Sequence, residues 1–421
     1  MELLALKSMT RRKVIFVLPH TYEPFFPKLR KNIKDIKSLD HFSTRYIDFM
    51  IRHTNKYNFE LLAISSAIKK PLTIKHNKGF TIKLFPKDFP KFSPLPLETS
   101  ESMLEYIMDL CKSEEGKNKE LIWHINSYYL LMSDPISIIL RKYKQNFALH
   151  HRGAGFSIKT LPYSIYKYWI MNRIIFKFAK LVVAENKDEE KKLLGFYKLP
   201  KNKVMYAPNP VDLVNVKKSK SELRKELDLP KDKTILMYAG RLMKGKGSGK
   251  AAKAIIEKLQ DKNNKNLYFL IIGSGECSKE IKNAIAEAKE KHGASNCKLI
   301  DWVVKEDLFK YYHASDLFLH TNRNVKFEGT PNALIECQGA GLPVVGFNIG
   351  GVRDIIKTGY NGELELSNDF YKYSARVVKL AKNKTLLKKM SKNSIKNYHD
   401  NYDAGKILKT YERIYDTLSQ N

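Results

Sequence analysis

Short apolar runs alternate with longer amphipathic stretches along the whole chain. Val14–Leu18 (VIFVL), Leu121–Ile125 (LIWHI), Phe147–His151 (FALHH) and Leu181–Ala184 (LVVA) read as buried strands, with helix-like stretches between some of them. Unbroken apolar runs of this length suit a parallel sheet covered by helices on its faces. The second half repeats the pattern at Thr234–Ala239 (TILMYA), Leu267–Ile272 (LYFLII), Leu317–His320 (LFLH) and Pro343–Phe347 (PVVGF). Ala207–Asp212, APNPVD, carries two prolines ahead of a Lys/Ser-rich stretch and marks a boundary. The pattern therefore predicts an α/β chain of two Rossmann-like, doubly wound domains, residues 1–208 and 209–399. They are expected to face each other across a cleft between the carboxyl ends of their sheets, a place that ligands favour. In residues 400–421, Ala404–Leu418 has apolar positions at helical spacing and no strand after it. This last helix is expected to return to the first domain.

Composition narrows the class. The 421 residues are 43% hydrophobic and include 23 Tyr and 21 Phe, ample for sizeable cores, which excludes a wholly disordered chain. No run of eighteen apolar residues occurs, so a spanning helix is not expected. In the opening MELLALKSMTRRK the basic cluster follows the apolar stretch, the wrong order for a secretory signal. Cys111, Cys277, Cys297 and Cys337 lie far apart and form no CxxC, as expected of reduced cytoplasmic thiols rather than a disulfide framework or zinc site.

The net charge is +31. Residues 1–200 hold 35 Lys and Arg against 19 Asp and Glu, leaving 40 against 25 in the rest, so no basic tail accounts for it. Such a surface attracts phosphates, anionic lipid or nucleic acid. A nucleic-acid-binding protein is the alternative of another class. No RNA or DNA module is recognisable, however, and no nucleic-acid partner is expected. Two basic, aromatic stretches bear on lipid. Phe25–Leu39 places Leu29, Ile33 and Ile36 at helical spacing among Lys28, Arg30, Lys31, Lys34 and Lys37. It reads either as an interfacial helix holding the protein on the inner face of an anionic membrane or as a solvated face. Pro162–Lys180 is rich in Tyr, Ile and Phe with Lys167, Arg173, Lys177 and Lys180. It reads as a core helix of the domain, with the same interfacial alternative.

The strongest chemical signal is Phe327–Gly351, FEGTPNALIECQGAGLPVVGFNIGG. Glu328 and Glu336 are separated by seven residues. Thr330 is placed to cap a helix and Pro331 to occupy its first turn. The N–H groups around Gly329, Thr330, Pro331 and Asn332 would then form an anion site. Glu328 just before the helix, and Glu336 more than one turn inside it, suit hydrogen bonds from sugar or ribose hydroxyls. The competing reading is a capped helix with solvated glutamates.

This string resembles the E-x7-E region of the fourth sequence family of glycosyltransferases, retaining enzymes of the GT-B fold. Tyr238–Gly247, YAGRLMKGKG, resembles the family's strand-end GRL…KG element, which implies that Arg241 and Lys246 bind the donor diphosphate. Ile271–Glu276, IIGSGE, resembles the strand and glycine turn near the nucleotide. Asn209–Asp212, NPVD, resembles the interdomain signature, with Pro210 in place of its glycine. The resemblance implies transfer of a sugar from a UDP- or GDP-linked donor to a glycan, lipid-linked or small-molecule acceptor, with no metal and no further cofactor. It gives Glu328 the sugar hydroxyls and Glu336 the ribose.

In the first half, Phe147–Gly155, FALHHRGAG, sits where the family has a strand ending in His-Gly. The resemblance implies His151 at the reacting carbon, with His150 as the alternative register. Arg152 separates both from Gly153, and a structural histidine is the competing reading. The loop Pro19-His20-Thr21-Tyr22-Glu23 lacks the glycine that many members carry there. Val182–Leu194 matches the family's strand and following helix, with Glu185 at the polar end and no catalytic role. A nucleotide-sugar epimerase of the same fold is the alternative enzyme, against which EGTPNALIE favours a transferase.

Overall fold

The computed structural model describes residues 11–21, 42–88, 97–150, 161–293, 296–323 and 329–420. The chain divides into two compact units, Met1–Pro210 with Gly405–Asn421, and Val211–Ala404.

The first unit is built on strands β1 (Arg12–Thr21), β2 (Tyr57–Ser65), β3 (Leu72–Lys75), β4 (Thr81–Pro86), β5 (Leu121–Asn126), β6 (Phe147–His150), β7 (Leu181–Ala184) and β8 (Val204–Tyr206), in the order β3-β4-β2-β1-β5-β6-β7-β8. β3 runs antiparallel to β4, and the other pairs are parallel. Every residue of β5, β6 and β7 is buried, the condition that made these strands apolar apart from His124, Asn126 and His150. β1 extends beyond the apolar run that announces it. Pro19 has no N–H for the ladder, and the register with β2 shifts between Leu18 and Thr21. Pro19–Thr21 is thus irregular strand rather than the expected loop.

Two features tie this unit together. The helix Ala404–Ser419 buries Tyr411 and Tyr415. The Tyr415 hydroxyl lies 2.5 Å from that of Tyr46 and 3.2 Å from His124 Nδ1, and Tyr411 donates to the Pro208 carbonyl at 3.3 Å. Elsewhere, the helical run Leu161–Phe178 contains one π-turn, Tyr166–Met171. Its Lys167 is fully buried and ion-paired with Asp134 of the helix Ser133–Lys142. The core-helix reading of Pro162–Lys180 holds for one face, where Lys167, Met171, Ile175 and Phe176 are buried. The opposite face is exposed. Phe25–Leu39 lies outside the described residues. Among the described residues, no helix is long and apolar enough to cross a membrane.

The second unit carries β9 (Thr234–Ala239), β10 (Leu267–Ile272), β11 (Cys297–Ile300), β12 (Leu317–Leu319), β13 (Val344–Phe347) and β14 (Gly362–Glu365) in a parallel sheet ordered β11-β10-β9-β12-β13-β14. From β9 the chain winds outward to β10 and β11, then restarts at β12 on the other side. The winding direction reverses between β9 and β12, and loops leaving the carboxyl ends of two such strands open a crevice.

Candidate active site at the carboxyl edge of the second sheet

The loops after β9 and β10 are one interlocked piece of backbone. Gly240, Gly273 and Gly275 have φ of +150°, +144° and +154°. A Cβ on Gly273 would stand 2.0 Å from the Gly240 carbonyl oxygen, and one on Gly275 2.4 Å from that of Leu242. Only glycine permits this approach. Hydrogen bonds close the contact. Leu242 N–H donates to Ser274 O and Cys277 N–H to Leu242 O, both at 3.0 Å, and Lys244 N–H donates to Glu276 Oε1 at 2.6 Å. GRL and GSGE, read separately in the sequence, therefore position each other. Arg241 sits on this platform with its side chain exposed, its carbonyl accepting from the Tyr238 hydroxyl at 3.0 Å.

The KGKG turn reaches across to the segment after β12. The Thr321 hydroxyl donates to the Lys246 carbonyl at 3.3 Å. Gly247, at φ +68°, lies so close to Phe370 that a Cβ would meet its ring at 2.4 Å. Lys246 is thereby held beside the switch point, and the helix Ser248–Leu259 starts immediately after it.

Beyond β12, residues 324–328 lie outside the described set, and with them Glu328. Gly329 and Thr330 follow. A Cβ on Gly351 would stand 2.3 Å from the Gly329 carbonyl oxygen, so the turn after β13 packs directly on this segment. The helix runs Asn332–Gly339 with Pro331 as its N-cap, at φ −71° and ψ 114°, and no side chain bonds the cap. Thr330 is therefore not the cap and Pro331 not in the first turn. Pro331 keeps its fixed φ but stays extended in ψ, and the helix begins one residue later than expected. The first amides of a helix have no intrahelical acceptor. Beside them Asn332 Oδ1 is buried without a hydrogen-bond partner.

Glu336 is buried one turn further in, and the hydroxyl of Tyr312 donates to its Oε2 at 3.2 Å. Tyr312 comes from the helix Lys305–Ala314 and is wholly buried. Burial first, and then the Glu336 charge, pushes its phenol well above the ordinary value, so it stays a donor. Sequence reading missed Tyr312, because nothing local links it to a carboxylate 24 positions away.

Arg241, Lys246, Gly329, Thr330, Pro331, Asn332 and Glu336 thus all follow the carboxyl ends of β9 and β12, neighbours in the sheet. His151 lies outside the described residues. The alternative, His150, is fully buried at the end of β6, and its Nδ1 lies 3.0 Å from His124 Nε2. His124 in turn meets Tyr415, so His150 belongs to the network that seats the last helix. Glu185, at the end of β7, accepts from Asn209 Nδ2 at 2.5 Å, which ties the APNPVD segment to the first sheet.

Comparison with known proteins bears on this edge of the second sheet. Residues 219–397 match the family model of glycosyl transferases group 1. The match takes in every strand of the second unit and the interlocked loops. An uncharacterised glycosyltransferase of Methanocaldococcus jannaschii is 25% identical over 249 residues, 59% of this chain and 61% of that protein. The Escherichia coli UDP-Gal:alpha-D-GlcNAc-diphosphoundecaprenol alpha-1,3-galactosyltransferase is 29% identical over 247 residues, 56% of this chain and 59% of that one. The chain spans about six-tenths of the length of the curated relatives it matches. Among solved structures, Anabaena HepE in complex with UDP superposes with a TM-score of 0.69 at 13% identity, covering 96% of this chain and all of that one. The fold is GT-B, with two Rossmann-like domains in one chain.

Proposed function

We propose that the chain is a retaining glycosyltransferase that moves a sugar from a nucleoside diphosphate donor to an acceptor hydroxyl. One observation carries the reading. The GRL…KG and GSGE loops interlock at the switch point of a sheet matching the group 1 glycosyl transferases, with the helix Asn332–Gly339 on the adjacent strand. Arg241 and Lys246 bind the diphosphate together with the first amides of that helix. Glu336, aimed by Tyr312, holds the ribose, and Glu328 holds the sugar hydroxyls. The bond from the anomeric carbon to the diphosphate breaks as the acceptor oxygen bonds the same face, and the acceptor proton passes to the leaving phosphate. Fixed cations stabilise the charge that develops there, and the reading needs no metal. His151 lies at the donor sugar in this scheme.

The UDP bound to the similar Anabaena structure and the UDP-Gal donor in the name of the Escherichia coli relative support a uridine nucleotide. The latter's diphosphoundecaprenol-linked acceptor supports a lipid-linked one here.

Thermal melting in the presence of UDP and GDP tests the donor site. A true ligand at a hundredfold excess over Kd stabilises by about 2.7 kcal/mol. UDP is expected to raise Tm and GDP to raise it less. Tyr312→Phe keeps the ring and removes one donor, and should weaken UDP binding about tenfold, the worth of one hydrogen bond to a charged group. Its Tm without nucleotide should fall as well, because the bond to the buried Glu336 exists before UDP arrives, so the UDP affinity is read by titration of the folded variant. A Tm that responds to neither nucleotide, with no transfer from any nucleotide sugar, would refute the assignment.

A further inference from the structure

The helical run Leu161–Phe178 leaves one side bare. Ile165, Trp169, Ile170 and Ile174 are exposed at 46%, 55%, 52% and 38%. The π-turn Tyr166–Met171 adds a residue to the repeat, which brings Ile165 and Ile170 onto one side with Ile174 a turn later. Trp169 extends the patch to the neighbouring helix, its ring meeting the partly exposed Phe196 edge-on at 5.2 Å. On the buried side, the Lys167–Asp134 ion pair fixes which face turns outward. Contiguous exposed apolar side chains of this size mark an interaction surface.

The polar rim identifies the occupant. Residues 161–180 contain no Asp or Glu, while Arg173, Lys177 and Lys180 are exposed. Arg173 lies over the Phe196 ring at 5.2 Å, and the exposed Arg141 stands over Phe178 at 6.0 Å. A second copy joined through the same face would set cation against cation. An anionic bilayer satisfies both components, since isoleucine and tryptophan enter the headgroup boundary while the cations meet lipid phosphates. We propose that the face of Ile165, Trp169, Ile170 and Ile174, rimmed by Arg173 and Lys177, docks the first unit on an anionic membrane surface. The inference stands apart from sugar transfer, because vesicle binding requires neither donor nor acceptor.

The test is sedimentation of the full chain with vesicles of phosphatidylcholine alone or mixed with phosphatidylglycerol. Binding to the mixed vesicles should be at least about tenfold tighter, and salt should weaken it. Trp169→Ser combined with Ile170→Ser should lower that binding about tenfold with Tm unchanged. Arg173→Gln combined with Lys177→Gln should remove the preference for anionic lipid. In a Trp302→Phe background, brominated lipid should quench tryptophan fluorescence, and Trp169→Phe should abolish the quenching, since the remaining Trp123 is buried. Parent-level binding by the Trp169/Ile170 variant would overturn the proposal, as would equal binding to both vesicle types or quenching that survives Trp169→Phe. Binding lost only on replacing Lys28, Lys31 and Lys34 with Glu would transfer docking to Phe25–Leu39. A dimer that separates in the Trp169/Ile170 variant would give the face to a second copy instead.

Discussion

Replacing Lys167 with methionine is expected to destabilise the first unit by about 3–5 kcal/mol, the cost of leaving a buried charge without its partner. Lys167 is wholly buried and Asp134 nearly so. Asp134 Oδ2 has no hydrogen-bond partner, so the carboxylate depends on the single ammonium bonded to Oδ1. Burial already pushes the Asp134 carboxyl up, against the opposing pull of Lys167. Removing the ammonium removes that pull, and the folded variant should favour the protonated acid still more. A folded-state pKa raised above the unfolded one contributes stability below the unfolded value and loses it as pH rises towards the folded one. The deficit of Lys167→Met should therefore be largest near neutral pH and shrink towards about pH 4. Adding Asp134→Leu should recover most of the loss, because a pair of apolar residues leaves no charge to solvate. Urea melts of the parent, single and double variants across this pH range measure it. A single variant as stable as the parent at pH 7 would show that the pair contributes nothing.

Arg241→Ala is expected to lower kcat/KM by about one and a half to three decades, the equivalent of about 2–4 kcal/mol. The loss should appear in both donor affinity and turnover. A cation facing a diphosphate acts in the ground state and gains importance as charge develops on the leaving group. The interlock beneath it involves backbone and Glu276, not the Arg241 side chain, so circular dichroism and Tm should not change. Glu328→Gln keeps shape and removes charge, and should reduce turnover more than donor affinity if this carboxylate serves the sugar at the reacting centre. Transfer at the parent's rate by folded Arg241→Ala and Glu328→Gln variants would remove both from the site.

The site was legible in the sequence as separate words. GRL…KG, GSGE and EGTPNALIE each carry a local signature, since strand ends, glycine turns and helix starts are written within a few residues. What joins them was not. Gly273 has to be glycine because of Gly240, thirty-three positions earlier, and Gly351 because of Gly329. Edge strands were also hard to read. β11, CKLI, and β14, GELE, carry polar residues within four positions and show no unbroken apolar run.

Sequence alone determined that the protein would be two successive parallel α/β units, because strands buried on both faces are mostly apolar, and that requirement is visible locally. It also determined the order of the motifs. Tertiary structure decided which side chains meet. Tyr312 orients Glu336, His150 meets His124, and Lys167 of a basic aromatic helix is buried against Asp134 while Trp169 is left outside. Periodicity says that a helix has a buried face. It does not say which charged residue finds a partner there, because the partner lies on a distant segment that only folding brings within hydrogen-bond reach.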